Sequence, residues 1–235
     1  MKKSLLFAAA LFFSVSVFCQ QINDPNAVVR EAKDFNGISV SNAFDVYLSQ
    51  GGTEAVAVSA AEEKYRDRIV VEVKAGILYI SYDNKGLSWG NGNKKLKAYI
   101  SFKQIDKLKI SGACDVFVTG VLKADNLVLD QSGASDFKGK VDVNKLTVDL
   151  SGASDILISG TANQLAIDAS GASDFKGYDL NTETCDATAS GASDIKITVN
   201  KELSANASGA SDIHFKGNGV IRDLKSSGSS SVRKG

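Results

Sequence analysis

The sequence lacks an excess of charge of either sign, because 27 Lys and Arg residues balance 27 Asp and Glu residues. These charges are spread along the chain, and no basic block exists that could follow a phosphate backbone. No cluster of Lys or Arg marks a surface for anionic membranes either. Both patterns argue against nucleic acid as a partner and against electrostatic attachment to a membrane.

Proline and histidine are also scarce. The single proline, Pro25, precedes the predicted start of the folded part. The single histidine, His214, lies at an outward strand position that lysine takes in other repeats, so a Ser-His-Asp nucleophile is not indicated. No Cys/His spacing is typical of a zinc site, and no Gly-rich loop with Lys-Ser or Lys-Thr suggests nucleotide binding.

The first 19 residues have the pattern of a cleaved secretory signal. Two lysines precede an uncharged apolar run, 5–18, which is shorter than the roughly 20 residues of a membrane-spanning helix. We expect cleavage near residues 19–20 and an exported protein, either of the periplasm or of the cell surface. A lipoprotein signal with Cys19 as the lipidated residue is the alternative, but Phe18 stands where such signals have a small residue. No later segment could span a membrane.

The chain has, instead, a conspicuous internal repeat. The pentapeptide Ser-Gly-Ala-Ser-Asp occurs five times, with one Ser-Gly-Ala-Cys-Asp and one Ser-Gly-Ser-Ser-Ser, at intervals of about 19–20 residues. Such a period is typical of a solenoid, a chain wound into stacked coils. Since coils stack about 4.8 Å apart, Cys114 and Cys185 would lie roughly 15–20 Å apart, and we expect both thiols to be free. The copies begin at Ser111, Ser132, Ser151, Ser170, Ser190, Ser208 and Ser227.

Hydrophobic alternation surrounds each pentapeptide. The residues five, three and one positions before it are mostly Leu, Val, Ile or Ala, and the residue after its Asp is mostly Phe or Ile. This alternation predicts strands with one buried face. Each coil should be strand, tight turn, strand and loop, with loops at segments such as 139–140 and 159–161. The predicted fold is therefore all-β, a right-handed parallel β-helix (β-solenoid).

The N-terminal third departs from the repeat. A short helical stretch at 60–68 lies among strand-like runs at 37–49, 55–59, 69–74, 77–82 and 96–102. Ser41–Asp45 looks like a divergent pentapeptide, so a first coil is expected here, with the other residues capping the core. The predicted organisation is a signal peptide at 1–19, a linker at 20–27, a β-rich cap region at 28–104, and solenoid repeats with a C-terminal cap at 105–235.

Several segments carry a resemblance to a known family. They are Phe35–Ser41, Asp45–Leu48, Ile77–Tyr82, Leu96–Phe102 and Leu108–Gly112. Over about residues 28–232 the chain resembles the "putative auto-transporter adhesin, head GIN domain" family, an exported bacterial family of unknown function. The resemblance implies a β-helical fold and an exported location, and it supplies no catalytic residues.

The repeated Asp is the most prominent candidate for a metal site. Stacking would place Asp136, Asp155, Asp174 and Asp194 in one outer column, where carboxylates about 5 Å apart repel each other. Calcium, which takes six to eight oxygen ligands, is one way to offset this repulsion. Hydrogen bonds from turn N–H groups, with lysines two residues farther on, are the other. We favour the second, because the repeat lacks the Gly-Gly-x-Gly-x-Asp turn of calcium-binding solenoids, and we predict no cofactor.

One loop, at 85–95, is the candidate ligand site. It contains the only Trp, Trp89, among Gly and Asn residues. A Trp on such a loop could stack on a sugar ring, with Asn91 and Asn93 beside it, although packing over a solenoid end is the more common role. The candidate partners are a glycan or a surface protein of the envelope or a host.

These features predict an exported, non-enzymatic β-solenoid of the cell envelope with an adhesin-like binding or structural role. One alternative is a glycan-active β-helix enzyme, which would need a deep cleft with several carboxylates of perturbed pKa. The other alternative is a calcium-stabilised scaffold. A shared β-helix architecture does not choose among them.

Overall fold

The computed structural model describes residues 23–85 and 94–235, which form almost only β-structure. Among them no helix is long and apolar enough to cross a membrane. The first elements are β1 (Val28–Arg30), β2 (Gly37–Val40), β3 (Phe44–Gln50), β4 (Ala55–Ser59), α1 (Glu63–Arg66), β5 (Ile69–Lys74), β6 (Ile77–Tyr82), β7 (Leu96–Phe102), β8 (Lys107–Ile110) and β9 (Asp115–Thr119). They are followed by β10 (Leu122–Gln131), β11 (Asp136–Leu150), β12 (Asp155–Ala169), β13 (Asp174–Ala189), β14 (Asp194–Ala207), β15 (Asp212–Lys216), β16 (Val220–Ser226) and β17 (Ser231–Lys234).

Four long strands, β11 to β14, form the regular part of the molecule. Each begins at the Asp of one pentapeptide and ends just before the next, so a single strand makes most of a coil. Neighbouring coils pair in parallel, with Phe137 opposite Ile156 and Ile156 opposite Phe175. The chain is thus an all-β parallel solenoid of about seven turns, which confirms the predicted fold class.

The hydrophobic alternation positions the core as predicted. The residues that follow the Asp of each regular corner point inward and are at most 1% exposed: Phe137, Ile156, Phe175, Ile195 and Ile213. Burying a Phe or Ile side chain contributes roughly 1.5–3 kcal/mol. Each coil therefore adds an apolar layer to one continuous core.

The prediction of loops at residues 139–140 and 159–161, opposite the corners, is wrong. Lys140 pairs with Ser159, and Val141 pairs with Gly160, so these segments remain within the parallel sheet. Val141 and Val143 are buried, so the inward–outward alternation continues through the bend. Because the backbone bends without leaving its neighbours, its N–H and C=O groups stay hydrogen-bonded.

A backbone ladder joins the corners, which are the tight turns at the pentapeptides. The Ala N–H of one corner donates to the Gly carbonyl of the preceding corner, at 2.7 Å between Ala192 N and Gly171 O. Gly191 has a φ angle of 75°, and a Cβ atom there would lie 2.6 Å from the carbonyl oxygen of Gly171. Both the left-handed backbone and the close contact therefore require glycine.

The fourth residue of each corner points inward and forms a buried hydroxyl column. Its regular members are fully buried: Ser135, Ser154, Ser173, Ser193 and Ser211. The Oγ atom of Ser193 lies 2.9 Å from the carbonyl oxygen of Ser190 and 3.1 Å from that of Ala169. Each hydroxyl thus ties together the ends of its own turn.

Cys114 and Cys185 are free, as predicted, and both are buried. Cys114 takes the place of the corner serine, with its Sγ atom 3.4 Å from the carbonyl oxygen of Ser111. Burial raises the pKa of Cys114 to about 11. Burial also raises the pKa of Cys185, so neither thiol ionises readily near neutral pH.

The first coil predicted at Ser41–Asp45 is present, but coil order departs here from chain order. β2 and β3 flank this corner, where Asn42 takes the place of glycine with a φ angle of 86°. β8 and β9 pair with one side of β2 and β3, and β6 and β7 pair with the other side. The coil made of β6 and β7, which we term the terminal coil, therefore lies nearest the N-terminal end of the stack.

Antiparallel strands cover this N-terminal end. β4 pairs with β7, β1 pairs with β4, and β5 pairs with β6, all antiparallel. Tyr65 of α1 and Ile69 of β5 are buried in the same core. The apolar interior of the terminal coil is therefore shielded from water.

The opposite end of the stack is different. Residues 220–235, expected to include a C-terminal cap, form another coil in which β16 pairs with β14 and β17 pairs with β15. Ile221 and Leu224 follow the inward positions of Leu203 and Ala205, but they are 45% and 46% exposed. Inward apolar side chains are thus open to water at this end.

Candidate binding site

The terminal coil lacks the pentapeptide corner. Its two strands are connected by residues 83–95, whereas the next two coils turn at Ser41–Ala43 and Ser111–Ala113. A cavity of about 1000 Å³, which we term the corner cavity, lies beside these corners. Its described lining residues are Asn42, Ala43, Asp45, Tyr82, Asn84, Lys94, Lys95, Leu96, Lys97, Ser111, Gly112 and Ala113.

Asn42 joins two coils at this cavity. Its Oδ1 atom accepts a hydrogen bond of 2.9 Å from the N–H of Tyr82, the last residue of β6. Asn tolerates the left-handed backbone of this position better than most side chains do. A Cβ atom on Gly112 would collide with the backbone of Asn42. The wall between the first two corners is therefore fixed by backbone contacts.

Three lysines make the corner cavity basic. Lys94, Lys95 and Lys97 line it together with a single carboxylate, Asp45, among the described residues. The Nζ atom of Lys94 lies 5.1 Å from the centre of the Tyr82 ring, within the range of a cation–π interaction. The cavity thus has ammonium groups beside a tyrosine ring that is itself only 5% exposed.

Asp24 holds one of these lysines at the rim. Its Oδ2 atom lies 3.7 Å from Lys97 Nζ and accepts a hydrogen bond of 2.9 Å from the Tyr99 hydroxyl. Burial alone would raise the pKa of Asp24, but hydrogen bonds from Tyr99 and Asn26 bring it below its ordinary value. Burial and the Asp24 carboxylate together raise the pKa of Tyr99. Both groups therefore keep their neutral-pH charge states, and Lys97 stays paired.

The corner cavity is lined by several hydrogen-bonding side chains. Lysine ammonium groups and the amides of Asn42 and Asn84 are donors for hydroxyl and carboxylate oxygens. The cavity has the volume of a typical small-ligand site. Among the residues that the structure describes, no group of three or more His, Cys, Asp and Glu side chains could hold a metal ion.

The predicted ligand residues Trp89, Asn91 and Asn93 lie outside the described residues, and their role stays a prediction. They fall between Asn84 and Lys94, both of which line the corner cavity. Sequence reasoning identified this loop but missed the lysines at its end. The Ser41–Asp45 corner forms another wall of the corner cavity. Its divergence from the pentapeptide was the only signal in the sequence for this wall.

The predicted Asp column exists, since Asp136, Asp155, Asp174 and Asp194 stand opposite one another in successive coils. Burial and the charges of Asp115 and Asp155 raise the pKa of Asp136. The expected lysine compensation occurs at Lys176, whose Nζ atom lies 2.7 Å from Asp155 and 3.2 Å from Asp174. The backbone N–H groups of these Asp residues donate to carbonyl oxygens of the preceding corner, as Asp155 N does to Ser135 O.

An outward aromatic stack was missed by the sequence analysis. The ring centres of Tyr99 and Tyr47 are 5.2 Å apart, and those of Tyr47 and Phe117 are 5.5 Å apart. Tyr47 and Phe117 lie two residues after Asp45 and Asp115, and Tyr99 pairs with Tyr47. The later coils have mostly lysine at this position. Because the rings cover each other's faces, the stack stabilises the first coils and offers few open faces to a sugar.

Comparison with known proteins gives one family and several solved structures. The profile of the family described as "Putative auto-transporter adhesin, head GIN domain" matches residues 34–219. A "putative adhesin" from Bacteroides fragilis is 23% identical with a TM-score of 0.83, covering 90% of this chain and 98% of its own. A "putative adhesin" from Parabacteroides distasonis is 19% identical with a TM-score of 0.67, covering 88% and 95%. A "putative lipid binding protein" from Parabacteroides distasonis is 21% identical with a TM-score of 0.64, covering 90% and 97%. Among curated proteins nothing matches.

Proposed function

The chain belongs to the auto-transporter adhesin head GIN domain family, and we propose that it is an exported, non-enzymatic adhesin that binds a glycan in the corner cavity. The observation that carries the proposal is the replacement of one corner by residues 83–95, with a basic cavity beside it. The later coils keep the compact corner. The recognition surface thus lies where the repeat is broken.

The lining of the corner cavity suits an acidic or strongly hydroxylated sugar. Lys94 offers an ammonium donor, and Asn84 offers an amide that can both donate and accept. Asn42 can donate through its Nδ2 atom, since its Oδ1 atom accepts from the Tyr82 N–H. Tyr82 contributes an aromatic ring beside Lys94. Such a mixture of apolar surface and a few polar groups is typical of small-ligand sites.

The same lining supports binding over glycoside hydrolysis. Hydrolysis of a glycosidic bond normally uses a pair of carboxyl groups, one of them with a raised pKa. Among the described lining residues Asp45 is the single carboxylate. Glycan-active catalysis would therefore need a second acid from outside the described lining.

A glycan array with the processed protein tests the proposal. We expect binding to carboxylated glycans, and the variants Asn84→Ala and Lys94→Ala should each weaken it about tenfold, since a hydrogen bond to a charged group contributes about 1.5–3 kcal/mol. Lys145→Ala, at an exposed position of a regular coil, is the matched control and should bind normally. Trp89→Ala separates a role of the loop from that of the cavity.

Two outcomes would contradict this assignment. Glycan binding that is unchanged in both cavity variants would place recognition elsewhere on the surface. Turnover of a bound glycan, seen as released sugar, would make the protein an enzyme. Export is tested independently by cell fractionation and by mass spectrometry of the N-terminus, where cleavage near residues 19–20 is expected.

A further inference from the structure

The C-terminal end of the stack displays core residues that every other coil hides. Leu203 and Ala205 are at most 3% exposed, whereas the residues stacked on them, Ile221 and Leu224, are 45% and 46% exposed. Val220 beside them is 67% exposed. A contiguous apolar surface of this kind marks an interaction site in a soluble protein.

Among the described residues, the same end has strand edges that are not paired with another strand. In the part of the chain that the structure describes, β16 pairs with β14 alone and β17 pairs with β15 alone. Their outer edges therefore offer N–H and C=O groups to a further strand. An open edge beside an apolar face is a template for pairing with another chain.

We propose that this end pairs with the same end of a second copy, joining two β16 strands antiparallel about a two-fold axis. A register that places Ile221 opposite Leu224 of the second copy puts inward side chains against inward ones. The same register places Arg222, which within its own chain also lies 3.5 Å from Asp186 and 3.6 Å from Glu202, opposite Asp223 of the second copy. Because of the two-fold symmetry, the apolar pair and the charged pair would each occur twice in the interface.

The two-fold symmetry of this contact limits the assembly to two chains. A head-to-tail fibre would need the C-terminal edge of one copy to pair with the N-terminal edge of the next. That N-terminal end is covered by the antiparallel strands β1, β4 and β5. A contact between like ends about a two-fold axis closes as an isologous dimer. The two corner cavities, near the capped ends, would lie at opposite ends of the dimer.

Light scattering after size-exclusion chromatography tests the dimer, using the processed protein over a series of concentrations. We expect the mass of two chains, falling two-fold to that of one chain in Leu224→Lys. Leu157→Lys is the matched control, because Leu157 is 47% exposed on the side of a regular coil. Circular dichroism should show an unchanged fold in both variants, since both side chains already face water.

A charge exchange tests the register. Arg222→Asp and Asp223→Arg should each weaken the dimer, and the double variant should restore it. A wild-type mass of one chain at every concentration would overturn the proposal, as would a ladder of higher masses. A dimer that persists in Leu224→Lys, or a different chain found on this end, would do the same. Failure of the double variant to recover would overturn the register.

Discussion

The regular coils and the first coils share the same backbone ladder between corners, but they differ in how the chain is arranged around it. In β11 to β14 every corner has the same backbone, and each residue is determined by its counterparts in the coils on either side. Between residues 37 and 119 the ladder is kept, but chain order and coil order part, and one corner gives way to a long connection. Uniformly stacked corners leave no space for a cavity, whereas the replacement of a corner provides such a space. The proposed recognition site thus lies where the repeat is interrupted.

The largest predicted effect comes from a substitution that disrupts a regular corner. Gly191→Ala would place a Cβ atom 2.6 Å from the Gly171 carbonyl oxygen, at a φ angle of 75°. Gly120→Ala is the matched control, because its φ angle is 79° but no atom lies within 4 Å of the added Cβ. We expect a loss of about 1–2 kcal/mol of unfolding free energy for Gly120→Ala and about 4 kcal/mol or more for Gly191→Ala.

Denaturant unfolding of the two glycine variants measures this difference. Equal losses would show that the corner ladder tolerates a side chain, and that only the backbone angle requires glycine. Failure of Gly191→Ala to fold, while Gly120→Ala folds, agrees with the expectation. The pair therefore separates stacking contact from local strain.

The next effect removes one hydroxyl from the buried column. Ser193→Ala leaves the carbonyl oxygens of Ser190 and Ala169 without the hydroxyl that lies 2.9 and 3.1 Å from them. The expected loss of unfolding free energy is about 1–3 kcal/mol. Ser193→Cys should lose less, because Cys114 already fills the equivalent position in an earlier coil. A larger loss for Cys than for Ala would show that the space, and not the hydrogen bond, limits this site.

Much of the fold could be predicted from the sequence because the repeat shows the same pattern of residues in several coils. Alternation placed Phe137 and its counterparts inside, and the constant period predicted parallel stacking. The bends at residues 139–144 were not readable, since the polar and Gly residues that mark a loop also suit outward positions of a strand that bends. The inward serines were missed for a similar reason. A hydroxyl that ties a turn looks the same in sequence whether it is buried or exposed.

Less of the candidate site was readable. The loop at 85–95 stood out by composition, but its neighbours depend on coil order. Nothing in the local pattern of Ile77–Tyr82 shows that it pairs beside Gly37–Val40 on the side away from Lys107–Ile110. Such non-local pairing decides that Asn42 and Tyr82 meet at the corner cavity. Propensity and spacing carry no information about it.

A smaller effect concerns this wall of the cavity. Asn42→Gly keeps the left-handed backbone but removes the Oδ1 atom that accepts from the Tyr82 N–H. We expect a loss of about 1 kcal/mol in unfolding free energy together with weaker glycan binding. If binding stays unchanged while stability falls, Asn42 serves the fold alone.

The smallest predicted effect concerns the opposite pKa shifts of two residues in the same Asp column. Burial and the charges of Asp115 and Asp155 raise the pKa of Asp136, whereas the hydroxyl of Ser231, 2.6 Å away, lowers the pKa of Asp212. A raised pKa means that the ionised carboxylate opposes folding above that pKa, and the penalty disappears as the pH falls below the unfolded value of about 3.9. A lowered pKa means the reverse, with stability present above about pH 3.9 and lost as the pH falls through the folded value.

Thermal melts between pH 7 and pH 3 measure these opposite signs. Asp136→Asn should raise the melting midpoint at pH 7, and the gain should vanish toward pH 3. Asp212→Asn should lower the midpoint at pH 7, and its loss should shrink over the same range. Asp136 is exposed and Asp212 is partly exposed, so solvent screens both carboxylates and the shifts should be small. Shifts of the same sign would mean that position within the stack does not control these charges, and that interior and end coils are electrostatically equivalent.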